Sequence, residues 1–267
     1  MPIAKTEFSA YCGNSVFFTL PIKKKNKIEN LTKKFGDFKA VDGLDLHVKP
    51  GEIFGFLGPN GAGKTTTVKI LSGIMRPTSG KVSVAGHDVD KEPEEAKRHL
   101  AYIPDEPFVY PKLTAWEFLR FIGDIYRIPE AEQKKRIPEL LDLFELTPMS
   151  DGLLEGYSHG MKQKLLIASV LLRKPKAVLF DEPTVGLDPK SIRRFKNLLG
   201  EMANDGAAIF VCTHILDMAE KLCTQVGIIF GGRLIAKGTV DEIRSAAHSG
   251  KESSLEDIFL KLTNNND

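Results

Sequence analysis

Gly58-Pro59-Asn60-Gly61-Ala62-Gly63-Lys64-Thr65 is the stretch that most restricts how this chain can fold. Its glycines let the backbone turn tightly enough for successive N–H groups to converge on one point. An apolar run, Ile53 to Leu57, leads into it. A helical pattern from Lys64 to Met75 leads out, with Val68, Leu71 and Met75 on one face and Pro77 beyond its end. A strand that turns through glycines into a helix N-terminus aims N–H groups and the positive helix end at an anion. The pattern is G-x-x-x-x-G-K-[ST], so Lys64 is expected to reach β and γ phosphates and Thr65 to offer its hydroxyl to Mg²⁺. It is not G-x-G-x-x-G, which excludes the dinucleotide-binding arrangement.

The rest of the chain reads as an α/β protein. Val41, Leu46 and Val48 lie on partly alternating strand-like segments. Ala177–Phe180 and Ala208–Cys212 are short, non-alternating apolar runs, as fully buried parallel strands are. Asp188 and Pro189 open a helix over Lys190–Asn204, and Gly206 stops it. Thr114 with Glu117 makes a capping box for a helix carrying Trp116, Leu119, Ile122 and Ile125 up to Arg127. A further helical stretch, Glu130–Leu146, contains Pro138, which is expected to kink or split it. Gly231-Gly232 between Ile228–Phe230 and Leu234–Ala236 signals a hairpin. The expected fold is a P-loop NTPase (RecA-like) core with a mainly parallel sheet, a small antiparallel β element and a helical insertion.

Composition narrows the class. In 267 residues, 37 Lys+Arg against 35 Asp+Glu leave a net charge of +2, which argues against nucleic acid as the main partner. No apolar run approaches the roughly 20 residues of a membrane span. Cys12, Cys212 and Cys223 have no metal-ligand spacing, and a reducing compartment is expected. Residues 1–26 differ from the rest: Val16, Phe17, Phe18 and Leu20 precede Lys23, Lys24, Lys25 and Lys27. A secretory signal has the reverse order, so an extra strand, a disordered extension or a cloning remnant is the expectation.

Ala177-Val178-Leu179-Phe180-Asp181-Glu182 supplies the partner of the phosphate loop. A buried strand delivers Asp181, suited to holding Mg²⁺ through water, and then Glu182, suited to deprotonating a water. Tyr157-Ser158-His159-Gly160-Met161-Lys162-Gln163 precedes it. With these segments the chain resembles the ATP-binding cassette family, whose signature usually reads L-S-G-G-Q. Val185-Gly186-Leu187-Asp188 resembles that family's D-loop, His214 its switch histidine, and Phe35 its adenine-stacking aromatic, with core packing as the alternative role for Phe35. The resemblance spans about Lys27 to Ala236. It implies ATP and Mg²⁺ as ligands, with nucleotide contacts from Phe35, Gly58, Pro59, Asn60, Gly61, Ala62, Gly63, Lys64, Thr65 and Thr66. It implies Ser158, Gly160 and Asp188 as contacts across a dimer. It gives Thr65, Asp181 and Asp105 to the metal, and Glu182, His214 and Lys64 to catalysis.

Departures from the family pattern fall in two segments. His159 stands for one of the signature glycines and Met161 for the glutamine; a positive φ at His159 would cost of order 1 kcal/mol. In Tyr102-Ile103-Pro104-Asp105-Glu106-Pro107, which resembles the Q-loop region, Asp105 stands for glutamine and cannot donate as an amide does. The expected division is an extension (1–26), an ATPase domain (27–236) and a helical tail (237–267). Within the ATPase domain, 27–106 and 173–236 form the core and 107–172 the helical subdomain. The resemblance implies a homodimer or heterodimer of such subunits at the cytoplasmic face of the membrane, energising an integral membrane permease, with no nucleic acid. The tail segment Ser254–Leu260 resembles exporter-type subunits. The rival class, soluble members acting on ribosomes or DNA, usually joins two cassettes or carries a long coiled coil. This chain has one phosphate loop and no sustained heptads. Phe108, Val109 and Tyr110, between Pro107 and Pro111, are expected to offer an apolar loop to the permease, with buried packing as the alternative.

Overall fold

The computed structural model describes residues 26–247 and 254–264. The N-terminal apolar patch and Lys23–Lys25 lie outside them. β1 (Asn26–Phe35) and β2 (Phe38–Val48) form an antiparallel hairpin, and β3 (Ile53–Leu57), buried along its whole length, runs toward α1 (Lys64–Leu71). β4 (Ser79–Val84) and β5 (His87–Asp88) complete a four-stranded sheet in the order β2-β1-β4-β5. α2 (Pro93–His99) passes directly into β6 (Leu100–Ile103). The helical insertion holds α3 (Ala115–Ile125), α4 (Glu130–Leu143) and α5 (His159–Arg173). Then come β7 (Ala177–Asp181), α6 (Pro189–Asn204), β8 (Ala208–Thr213), α7 (Leu216–Leu222), β9 (Gln225–Phe230) and β10 (Arg233–Gly238). α8 (Val240–Ala246) and α9 (Leu255–Asn264) follow and pack with α7 around Leu57, Ile228, Leu255 and Ile258.

The second sheet has the order β10-β9-β3-β8-β7-β6, parallel except for β10. Its central strands are apolar on both faces because both faces are covered. One face packs on the antiparallel sheet, where Phe210 lies 5.6 Å from Phe54 and 5.2 Å from Phe56, centroid to centroid. The other meets α5, α6 and the insertion, with Phe195 edge-on to Phe180 at 5.1 Å. The sheets are also pinned at their edges, where Asp42 N–H donates to Gly232 O and its carboxylate accepts from Arg233 at 2.7 Å.

Caps and turns follow local chemistry. Thr114 and Glu117 form the expected capping box, and Asp188 caps α6 by accepting from Ser191 N–H at 2.9 Å. α1 ends at Leu71 rather than Met75. Gly73 adopts φ +71°, and the N–H groups of Ile74 and Met75 both turn back to Lys69 O. α4 runs unbroken through Pro138. The missing N–H forfeits one bond to the carbonyl four residues back. Ile137, Leu140 and Leu141, all buried against the insertion's core, hold the helix together across that gap. Two arginines hold the end of α5, one from within the insertion and one reaching the core. Arg136 donates to Leu171 O and Leu172 O, and Arg173 donates to Leu100 O while its guanidinium lies 3.4 Å from the Tyr126 ring centroid.

Val109 requires a correction. It is 6% exposed and belongs to the core shared with α3 and α4, whereas Phe108 and Tyr110 on either side are 73% and 46% exposed. The loop uses its middle residue as an anchor and displays only the flanking aromatics.

Candidate nucleotide site

The phosphate loop is closed by main-chain contacts. Gly63, at φ +105°, caps α1 with its Cα so near the hairpin that a Cβ would stand 2.3 Å from Ala40 O. A Cβ on Gly58 would stand 2.4 Å from Ile229 O. Both positions therefore exclude every other residue. Lys64 is buried, its ammonium donating to Gly58 O at 2.6 Å and Pro59 O at 3.1 Å. Thr67 ties the helix start by donating to Gly63 O.

Beside the loop, β7 ends on Asp181, which is 2% exposed. Thr65 lies close enough to lower the pKa of this carboxylate, and the Asp181 Oδ2 is buried without a hydrogen-bond partner. Burial pushes the Asp181 carboxyl up to about 6; Asp105 and Glu182 add to the rise, and Thr65 and Lys64 oppose it. Asp105, exposed at the end of β6, is thus close enough to act on Asp181, and its own Oδ1 accepts from Glu106 N–H at 2.9 Å.

Glu182 adopts φ +48°, a left-handed conformation that costs a non-glycine residue free energy and must be held by its surroundings. Three contacts hold it. Its Oε1 accepts from His214 N–H at 3.1 Å and lies 2.7 Å from His214 Nδ1, and Oε2 accepts from the Thr213 hydroxyl at 3.0 Å. Thr213 is fully buried and was not among the residues expected from sequence; its position at the end of β8, just before His214, is the only signal it gives.

Ser158 and Gly160 join the D-loop rather than the cradle. Ser158 caps α5, accepting from Met161 N–H. A Cβ on Gly160 would meet Gly186 O at 2.8 Å, and one on Gly186 would meet the His159 ring at 2.7 Å. His159 is the first residue of α5 and needs no positive φ, so the expected strain is absent. Asp188 is held at about 2 by two bonds from Ser191, one from its hydroxyl and one from its N–H. Gln163, a second residue the sequence reading left without a role, is buried and donates to Pro183 O, linking α5 to the segment after Glu182.

Phe35 is half exposed at the end of the β1–β2 hairpin, with Lys33 Nζ 5.1 Å from its ring centroid. The same hairpin brings Ala40 against Gly63, so the ring stands on the hairpin that flanks the phosphate loop. Phe38, its cross-strand partner, is more exposed still and offers a second ring.

A parallel sheet whose β3 feeds a glycine loop, beside a strand ending in Asp181-Glu182, defines a P-loop nucleotide-binding protein. The family model described as ABC transporter matches residues 41–185. The chain is 39% identical over 86% of its length to the bacitracin transport ATP-binding protein BcrA of Bacillus licheniformis, covering 75% of that protein. It is 38% identical over 81% of its length to the linearmycin resistance ATP-binding protein LnrL of Bacillus subtilis, covering 70%. It matches YbhF of Escherichia coli at 38% identity over 88% of its length but spans only 41% of that relative. Among solved structures, an ATP-binding subunit of an ABC transporter superposes with a TM-score of 0.85 at 36% identity, covering 90% of this chain and 99% of that one. A dimeric ATP-binding cassette in a post-hydrolysis state with ADP and Pi superposes at 0.71 with 27% identity, covering 80% and 98%. The chain belongs to the ABC transporter family, as an ATP-binding cassette.

Proposed function

We propose that the chain hydrolyses ATP as one half of a head-to-tail dimer and that the cycle drives export through a separate membrane permease. The observation that carries this reading is the held carboxylate of Glu182, flanked by His214 and Thr213 and next to Asp181. In the proposed cycle the loop N–H groups and Lys64 bind the β and γ phosphates, and Phe35 stacks on the base. Thr65 and the unpartnered Oδ2 of Asp181 suit Mg²⁺, with Asp105 nearby; bound there, the ion would neutralise charge on the phosphate oxygens. Glu182 orients a water and takes its proton as the water oxygen attacks the γ phosphorus and the bond to the bridging oxygen of ADP breaks. His214 steadies Glu182 and faces the γ phosphate. Ser158 and Gly160 at the start of α5 contact the phosphate held by the second copy.

Closure of such a dimer follows from each nucleotide touching both chains only when they meet. None of the helices among the described residues is long and apolar enough to cross a membrane. Phe108, Tyr110 and Phe121 form a run of ring contacts at 6.0 and 5.3 Å on the outer side of the insertion, a surface suited to a permease helix at the cytoplasmic membrane face. The names of BcrA, for bacitracin transport, and LnrL, for linearmycin resistance, support transport linked to resistance as the role.

Glu182→Gln tests the reading. The variant should keep ATP binding, lose turnover by about 10²–10⁴-fold, and elute as a dimer with ATP on size-exclusion chromatography. Full turnover in this variant would remove Glu182 from the reaction; a monomer at high concentration with ATP would remove the dimer.

A further inference from the structure

His87, Glu95 and His99 each present a ligating atom within 4.8 Å of the other two, the one such group of three among the described residues. His87 comes from β5; Glu95 and His99 lie four apart on α2, and so on one face of that helix. All three are half-buried. The two imidazoles are near-parallel, with centroids 5.6 Å apart and an interplanar angle of 27°. Two imidazoles bound to one zinc ion at its usual Zn–N bond length have centroids about 5 Å apart, and the ligand atoms of a tetrahedral site are about 3.4 Å apart. The cluster therefore needs an inward movement of about 1 Å, within reach of side-chain rotation alone.

We propose that His87, Glu95 and His99 bind one divalent transition-metal ion of the zinc class, with water in the fourth position. Two imidazoles and one carboxylate suit that class and suit Mg²⁺ or Ca²⁺ poorly, since those ions prefer all-oxygen shells. Glu92 supplies the support that metal-bound histidines usually have: its Oε1 lies 3.3 Å from His87 Nδ1. Arg98, which pairs with Glu95 at 3.2 Å, has to release it, and an exposed ion pair of this kind is weak in water.

The ion would act on structure, away from the reaction. His99 precedes the first residue of β6, which pairs in parallel with β7, and Leu100 lies opposite Ala177. Asp181 is at the other end of β7, so the two sites occupy opposite ends of the sheet. A metal there ties the short edge strand β5 to α2 and so anchors the antiparallel sheet to the edge of the parallel one.

The test is a Zn²⁺ titration of the tag-free, nucleotide-free full chain by isothermal calorimetry. One ion per chain is expected, with low-micromolar affinity. His99→Gln and Glu95→Gln should each weaken it at least about tenfold. Asp181→Asn should leave it unchanged, and basal ATPase should be equal in wild type, His99→Gln and Glu95→Gln. Co²⁺ should give the visible absorption of a tetrahedral site, lost in Glu95→Gln. That variant removes only a surface carboxylate, so it answers the question even if His99→Gln destabilises the fold. Binding weaker than about 100 µM, binding unchanged by Glu95→Gln, or binding lost in Asp181→Asn would each overturn the proposal.

Discussion

The phosphate loop and the signature segment are built by opposite means. In the loop, Gly58 and Gly63 are locked against backbone carbonyls of Ile229 and Ala40, which have nowhere to move. At the signature, the contact with Gly186 is made by the edge of the His159 ring, a side chain that can turn away, together with one close backbone approach at Gly160. The phosphate loop is thus defined by rigid main chain. The signature segment is defined by one adjustable ring and one backbone approach. The departures from the family pattern, His159, Met161 and Asp105, all fall outside the rigid part.

That contrast breaks if the loop tolerates a methyl group. Gly63→Ala should drive Ala40 away from the loop and lower ATPase by about 10³-fold or abolish folding, because the added Cβ meets backbone at a positive φ. Gly160→Ala should cost less, about 10²-fold, since its single clash displaces the D-loop by an ångström or less. Steady-state ATPase and a thermal melt of both proteins settle the order.

The aromatic loop gives a second, sharper pair. Val109→Glu buries a charge and should destabilise the chain by about 3 kcal/mol or more, read as a lower midpoint in urea. Phe108→Glu changes a surface residue, should move stability by less than about 0.5 kcal/mol, and should release the protein from permease-containing membranes. Equal stabilities would mean that Val109 is not the anchor.

The rigid half also has its own pH response. Asp181 is raised to about 6 in the folded chain from 3.8, so the native state holds this proton more tightly than the unfolded chain does. Without metal, its contribution to stability is present below about pH 4 and is lost as pH rises through 6. Metal binding runs the other way, because the ion needs the carboxylate: affinity for Mg²⁺·ATP should fall about tenfold per pH unit below 6. Comparing wild type with Asp181→Asn isolates both trends from the other carboxylates; parallel pH curves for the two proteins would remove the buried proton.

The smallest effect belongs to the adjustable half. His159→Gly should change ATPase by less than about threefold, since His159 is helical and carries no strain. A loss beyond tenfold would mean that the ring's contact with Gly186 positions the D-loop.

The parts legible in the sequence are those governed by local sterics. The glycine spacing of 58–63 announces its turn, Thr114 and Asp188 announce their caps, and the apolar runs at Ile53, Ala177 and Ala208 announce a parallel sheet. What stayed hidden depends on distant packing. Pro138 reads as a break, but the insertion's core holds α4 across it. Val109 looks like its two neighbours until the fold turns it inward. Thr213 and Gln163 carry no motif of their own and acquire roles only once Glu182 and Pro183 are brought to them.

The guanidinium fastenings at the end of α5 bear on how the insertion can move. Its exit into β7 is riveted through Arg136 to α4 and through Arg173 to Tyr126 and to the start of β6. Its entry has no such rivets before Val109, and Pro104–Phe108 is irregular backbone. A body clamped at one end and loose at the other pivots about the clamp and sweeps its free end. Asp105 sits in that irregular entry, so a tilt of the insertion would shift a carboxylate that acts on Asp181. Where two arginines reach thus decides which end of the insertion is held and which can carry Asp105 with it.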